Sequence, residues 1–304
     1  MRVGVSLPNL GLSATPDALV RGAQHAEQLG YDTLWTADRL LYPVHPRDPY
    51  PATPDGSLPE YYKNVLDPLE SLAFAAAHTR TIGLGTSIIA IPFYNPVVLA
   101  RRLTTIDILS GGRLRVGFGL GWSHDEFEAV GASLKGRGAR ADEFLQVLNA
   151  VWSTNPVEFH GTFFSVPRSF IGPKPVQQPR PPIFMAAYTA AALKRVATYA
   201  DGWQPNGAIL LGEMPRMLAE LRAGAAAAGR DPSAMLLNVV ATIALTPQPM
   251  AGSRAFFTGS REQIRDDIAR ARALGTTELI IELDLGPPID ELLRTMERFR
   301  GLAD

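Results

Sequence analysis

The residues able to do chemistry are few, and they sit where apolar, strand-like runs end. Asp38-Arg39 follows the run Thr33–Ala37 and sets a carboxylate beside a guanidinium that stays charged at any ordinary pH. Ser123-His124-Asp125-Glu126 lies just past the run Arg113–Gly119, and His124 is a group able to take or give a proton near neutral pH. Ser123 with Glu126 three positions on also has the form of a helix capping box, so Glu126 is read as structural. The ends of two runs are otherwise built from small residues: Thr86 and Ser87 after one, Gly117, Gly119 and Gly121 in the other. Small side chains there let a flat ligand lie close to the backbone. No pair of histidines or carboxylates has metal-ligand spacing. The chain has no cysteine, which excludes disulfides, thiolate ligands and a cysteine nucleophile.

The elements that must position these residues alternate from end to end. Strand-like runs are Arg2–Leu7, Thr33–Ala37, Thr81–Ile89, Arg113–Gly119, Ile183–Ala187, Gly202–Gln204, Leu236–Leu245 and Glu278–Leu283. Amphipathic helices are expected between them. The first spans Pro16–Leu29, with Thr15 as N-cap, Pro16 at the first helical position and Gly30 as its stop. Eight strands and eight helical segments fit a single (β/α)8 TIM barrel over 1–304, whose active site is built at the carboxyl ends of the strands. A doubly wound sheet is the rival, but Leu7-Pro8-Asn9-Leu10-Gly11 after the first strand lacks the G-x-G-x-x-G fingerprint.

Two insertions are expected, after strands 2 and 4. Residues 42–64 are rich in Pro, Tyr and Asp, and Pro156–Pro182 contains an aromatic, hairpin-like segment, Glu158–Ser165. Tyr50, Tyr61, Tyr62, Phe163 and Phe164 either roof a substrate pocket or pack the insertions. Arg137, Arg140 and Glu143 are expected to pair along a helix.

The 304 residues carry a formal charge of −1, with 46% hydrophobic and 19% charged residues, an ordinary composition for a soluble enzyme with no basic field for nucleic acid. No apolar run reaches membrane-spanning length and no charged-then-apolar leader precedes Arg2, so a cytoplasmic protein acting on a small molecule is the expectation.

The quoted segments, taken with Val3-Gly-Val-Ser-Leu-Pro-Asn9, Trp35-Thr-Ala-Asp38, Leu84-Gly-Thr-Ser-Ile88, Asn95-Pro96, Asp107-Ile-Leu-Ser-Gly-Gly-Arg113, Gly117-Phe-Gly-Leu-Gly-Trp122 and Ala200-Asp-Gly-Trp203, resemble the bacterial luciferase-like oxidoreductase family over nearly the whole chain. The Ser-Gly-Gly-Arg turn with Gly-x-Gly-x-Gly-Trp most resembles the branch that uses the deazaflavin coenzyme F420. The resemblance implies hydride transfer to or from a small organic substrate, and homodimerisation. Two alternatives stay open: an FMN-dependent monooxygenase, and a coenzyme-binding protein without catalysis.

The same resemblance assigns roles. A cis peptide at Ser87–Ile88 would press Ile88 against the coenzyme ring. Asp38 would stand near that ring; relatives usually follow it with histidine, where this chain has Arg39, either a fixed positive charge beside a reduced ring or an ion-pair partner of Asp38. Gly119, Gly121 and Trp122 would flank the ring or ribityl chain, with His124 as an acid–base candidate. Ala187, Tyr188, Thr189 and Trp203 would wall the phosphate site, with Tyr188 in place of a usual glycine and Arg39 or Arg195 in place of an absent lysine. No metal is implied.

Overall fold

The computed structural model describes residues 1–53, 55–207 and 211–303, and in it eight parallel strands close into a barrel. The strands are β1 (Arg2–Ser6), β2 (Thr33–Thr36), β3 (Gly83–Thr86), β4 (Leu114–Gly119), β5 (Ile183–Met185), β6 (Gly202–Trp203), β7 (Leu236–Thr242) and β8 (Glu278–Glu282). They pair in chain order, and β8 returns to β1 with Leu279 opposite Val3. Strands covered on both faces read as near-continuous apolar runs, which is why their existence was legible while their ends fell a few residues inside the expected bounds.

Nine helices are described: α1 (Pro16–Gln28), α2 (Pro68–His78), α3 (Pro96–Leu109), α4 (His124–Ala129), α5 (Arg137–Ser153), α6 (Ala190–Tyr199), α7 (Met214–Ala227), α8 (Arg261–Ala273) and α9 (Ile289–Ala303). Helix α1 starts as its sequence dictates: the Thr15 hydroxyl accepts from the Ala18 amide at 3.2 Å and Pro16 occupies the first turn.

Side chains alternate across each strand, so Glu278, Ile280 and Glu282 share the axis-facing side of β8 while Leu279, Ile281 and Leu283 pack outward with the helices. Trp35, Phe184, Val240 and Ile280 fill the barrel's middle layer. Below them Glu278 accepts from Trp35 Nε1 at 2.9 Å and faces Arg115 at 3.5 Å. The upper layer, at the carboxyl ends, carries the small and polar residues.

Both insertions are present. The first, after β2, runs through residues 40–66. The second contains an antiparallel hairpin, Val157–His160 with Ser165–Ser169. The expected pairing of Glu143 along its own helix is corrected: its carboxylate instead accepts from the amides of Thr162 (2.9 Å), Phe163 (2.8 Å) and Phe164 (2.6 Å), and so closes the hairpin's turn. Arg140 stacks over Phe164 at 4.5 Å.

Several motif residues turn out to be scaffold. Asp107 accepts from the amides of Val176 (2.7 Å) and Gln177 (3.1 Å), and so anchors the second insertion. Arg113 donates to the carbonyls of Ile82 (2.8 Å) and Ala76 (3.1 Å), and so ties β3 to the end of α2. Asn9 is fully buried; its side chain donates to the carbonyls of Ala37 (2.8 Å) and Leu66 (3.1 Å). That bond fixes the backbone one residue before Asp38.

Candidate active site

The carboxyl ends of the strands surround a cavity of about 700 Å³. Its floor is the stretch after β3. The Ser87–Ile88 peptide is cis, as the family resemblance implied, and Ile89 then pairs with Phe118 of β4. The Ile88 side chain lies so close over Gly119 that a Cβ there would collide with its Cδ1. Gly121 adopts φ +68°, a left-handed conformation that favours glycine, and a Cβ there would meet the Phe127 ring. The Ser87 hydroxyl accepts from Gln204 Nε2 at 3.0 Å, which links the floor to β6.

One wall is the β5–α6 connection. Ala187, Tyr188 and Thr189 all line the cavity, and Thr189 is the N-cap of α6, its hydroxyl accepting from the Ala192 amide at 3.3 Å. The first turn of α6 therefore turns the positive end of its helix dipole toward the cavity. Arg137 and Arg195 line the same wall; Arg195 is held by Asp142 at 2.5 Å and by the Gly138 carbonyl at 3.0 Å. Trp203 does not reach the cavity. It is fully buried, and its Nε1 donates to the Ala187 carbonyl at 3.0 Å, so it supports the wall from behind.

The opposite side holds the titratable groups. Asp38 lines the cavity half-buried; burial, then the charges of Asp67 and Glu126, push its carboxyl up to about 7. Arg39 is not an ion-pair partner of Asp38. Its guanidinium meets Glu126 at 2.9 Å and lies over the rings of Trp122 (4.8 Å), Tyr62 (5.4 Å) and Tyr50 (5.9 Å). Glu126 also accepts from the Leu40 amide at 2.9 Å. Its side chain is thus spent on the first insertion, whereas a capping box would turn it back on Ser123. The positive charge expected to face the coenzyme ring is already balanced by a carboxylate.

His124 is absent from the cavity lining. Its side chain is 58% exposed and its Nδ1 lies 2.9 Å from Asp48 Oδ1, so it fastens the insertion to α4 from outside. The expected acid–base role finds no geometry here. Arg47 reinforces the same seam through Asp125 at 2.7 Å.

Sequence reasoning missed Glu282, at the end of β8. It lines the cavity, and burial raises its carboxyl above the ordinary range. The signal was available: Glu278 and Glu282 both fall on the axis-facing side of one strand. Of the aromatics proposed as a roof, Tyr50 and Tyr62 line the cavity while Tyr61, Phe163 and Phe164 do not.

Among the described residues no group of three or more metal-binding side chains occurs, and no helix is long and apolar enough to cross a membrane.

Residues 1–272 match the family model for luciferase-like monooxygenases. The chain is 32% identical over 283 residues to protein Rv0953c of Mycobacterium tuberculosis, covering 92% of this chain and 91% of that one. Its fold is similar to that of monooxygenase RslO1 from Streptomyces bottropensis, with a TM-score of 0.81, 24% identity and coverage of 99% and 98%. It is likewise similar to an F420-dependent secondary alcohol dehydrogenase in complex with an F420-acetone adduct, with a TM-score of 0.79, 17% identity and coverage of 100% and 99%. The chain belongs to the luciferase-like monooxygenase family of oxidoreductases.

Proposed function

We propose that the protein is an oxidoreductase that binds the deazaflavin F420 across the strand ends and exchanges a hydride with a small, largely apolar organic molecule. The observation that carries this reading is the form of the cavity: a flat floor of Ile88 over Gly119, ending at the amino end of α6 beside Arg137 and Arg195. A planar tricyclic ring fits the floor, and a phosphate fits the helix end. When bound, the coenzyme supplies a two-electron hydride donor or acceptor that does not readily activate oxygen.

The chain's own residues do the rest. Ile88 and the glycines fix the plane of the ring. The first turn of α6 takes the phosphate. Tyr50, Tyr62 and Trp122 exclude water from the space above the floor, which strengthens every charge interaction inside it. Asp38, whose carboxyl titrates at about 7, is the group on the floor side able to hold or release a proton near neutral pH. Arg39 does no acid–base work; it holds the aromatic wall together. We place the chain in a homodimer, checked by light scattering.

The FMN-dependent monooxygenase is the second reading, and the family's description as monooxygenases favours it. Titration of the protein with F420 and with FMN in separate experiments, followed by fluorescence, tests the choice. Tight binding of F420 with weak binding of FMN is expected. Tight binding of FMN alone overturns the deazaflavin reading, and binding of both without turnover of any donor or acceptor favours a carrier.

A further inference from the structure

Hydride transfer to or from carbon leaves a proton to be placed. Adding a hydride to a C=O or C=N bond puts an electron pair on the heteroatom, and that atom must be protonated. Two carboxyls in the cavity carry raised affinity for a proton, and their surroundings differ. Asp38 faces acidic neighbours, Asp67 and Glu126, at the β2 edge of the floor. Glu282 faces phenols: Tyr50, Tyr62 and Tyr188 line the same cavity and lie within its electrostatic reach. These rings belong to the first insertion and the β5–α6 connection, and Glu282 shares the cavity with them.

Burial favours the protonated form of Glu282, while the Thr242 hydroxyl supports the carboxylate. Glu282 makes no ion pair with any described residue, so no opposite charge compensates one there. Its hydrogen bond comes from the Thr242 hydroxyl, its opposite number on β7. A smaller pit of about 10 Å³ adjoins it, lined also by Ser6, Thr36 and Ser87 and floored by Trp35 and Ile280. Such a pit is on the order of one water in size, and gives the carboxyl a polar neighbour on its lower side.

We propose that Glu282 is the catalytic acid and base for the substrate, donating its carboxyl proton to a carbonyl or imine group seated among Tyr50, Tyr62 and Tyr188. The inference rests on the deazaflavin reading above. In the reducing direction a hydride with its electron pair passes from the anionic reduced deazaflavin to the substrate carbon, leaving the neutral oxidised ring. The C=O or C=N π pair moves onto the heteroatom, and that atom takes the proton of Glu282, leaving a carboxylate that water reprotonates. In the oxidising direction the carboxylate removes the O–H or N–H proton as the hydride passes from carbon to the oxidised deazaflavin, which would become the anionic reduced ring.

The test uses the full chain loaded with reduced F420 and two carbonyl probes, cyclohexanone and benzaldehyde. Wild type, Glu282→Gln and Glu282→Asp are compared for coenzyme affinity, for the rate of coenzyme oxidation and for its solvent deuterium isotope effect. Glu282→Gln should bind F420 as wild type does, oxidise it about 100-fold or more slowly, the scale of a lost general acid, and show no solvent isotope effect; Glu282→Asp should recover part of the rate. A wild-type rate in Glu282→Gln, or failure of both probes to oxidise the bound coenzyme in wild type, overturns the proposal. A rate loss matched by lost coenzyme affinity overturns it too, because Glu282 would then hold coenzyme. Failure of wild type to bind F420 is a separate result: it removes the deazaflavin reading and this inference with it.

Discussion

The Arg39 guanidinium and the Glu126 carboxylate stand 2.9 Å apart with each side chain only 6% exposed, and they join the end of β2 to the first turns after β4. A pair so enclosed is costly to break, because one partner removed leaves the other charged and buried, at about 3–5 kcal/mol. Arg39→Met and Glu126→Gln should each lower the denaturation midpoint sharply. The double variant should be less unstable than the sum of the two. Urea unfolding of all four proteins reads this out; additive losses would mean that the pair is not coupled.

Asp38 makes stability depend on pH. Its folded-state affinity, about 7, lies above the ordinary Asp value of about 3.9. Between these values the folded chain holds a proton that the unfolded chain has released, so this group's contribution falls as pH rises from about 4 to 7 and then levels off. Asp38→Asn should therefore match wild type near pH 4 and exceed it at pH 8, by about 1–2 kcal/mol after allowance for the group's partial exposure. Thermal melts of both proteins at the two pH values decide it, and an Asn variant that gains nothing at pH 8 would refute the raised affinity.

His124→Ala should leave coenzyme turnover intact. The histidine's bond to Asp48 lies at the surface, where such pairs contribute about 1 kcal/mol or less. Turnover reduced a hundredfold at unchanged coenzyme affinity would return His124 to the mechanism.

Gly119→Val should weaken coenzyme binding while the barrel still folds. The new side chain drives into the Ile88 tip, the far end of a flexible group, and lifts it into the space above the floor. A loss of about tenfold in F420 affinity, or 1.4 kcal/mol, is expected. Circular dichroism and the fluorescence titration together separate this from unfolding; unchanged affinity would mean that the ring does not rest on Ile88.

The barrel was legible because its signals are local: apolar runs closed by small residues, Thr15-Pro16 opening a helix, Ser110-Gly-Gly-Arg113 turning into a strand. The small residues of the floor were legible for the same reason, but the cis bond at Ser87–Ile88 followed only from the family resemblance. What escaped was set by segments far apart in sequence. Glu126 has the spacing of a capping residue, and only the position of Arg39 and the Leu40 amide turns its side chain into the first insertion. His124 has the chemistry of a catalytic residue, and only Asp48 draws it to the surface. Glu143 could pair along its helix, but three hairpin amides need an acceptor more. Glu282 was overlooked for a different reason: its spacing from Glu278 put it on the axis-facing side of β8, but that alternation was not carried to the strand's last residue.

The packed layer of Trp35, Phe184, Val240 and Ile280, with Glu278 and Arg115 beneath it, leaves no passage along the barrel axis. Whatever lies on the floor must arrive and depart through the mouth, past whatever lies above it. Two ligands sharing such a doorway queue: the deeper one boards first and disembarks last. Steady-state kinetics should accordingly be ordered, with the small molecule competing for the loaded protein and not for the empty one.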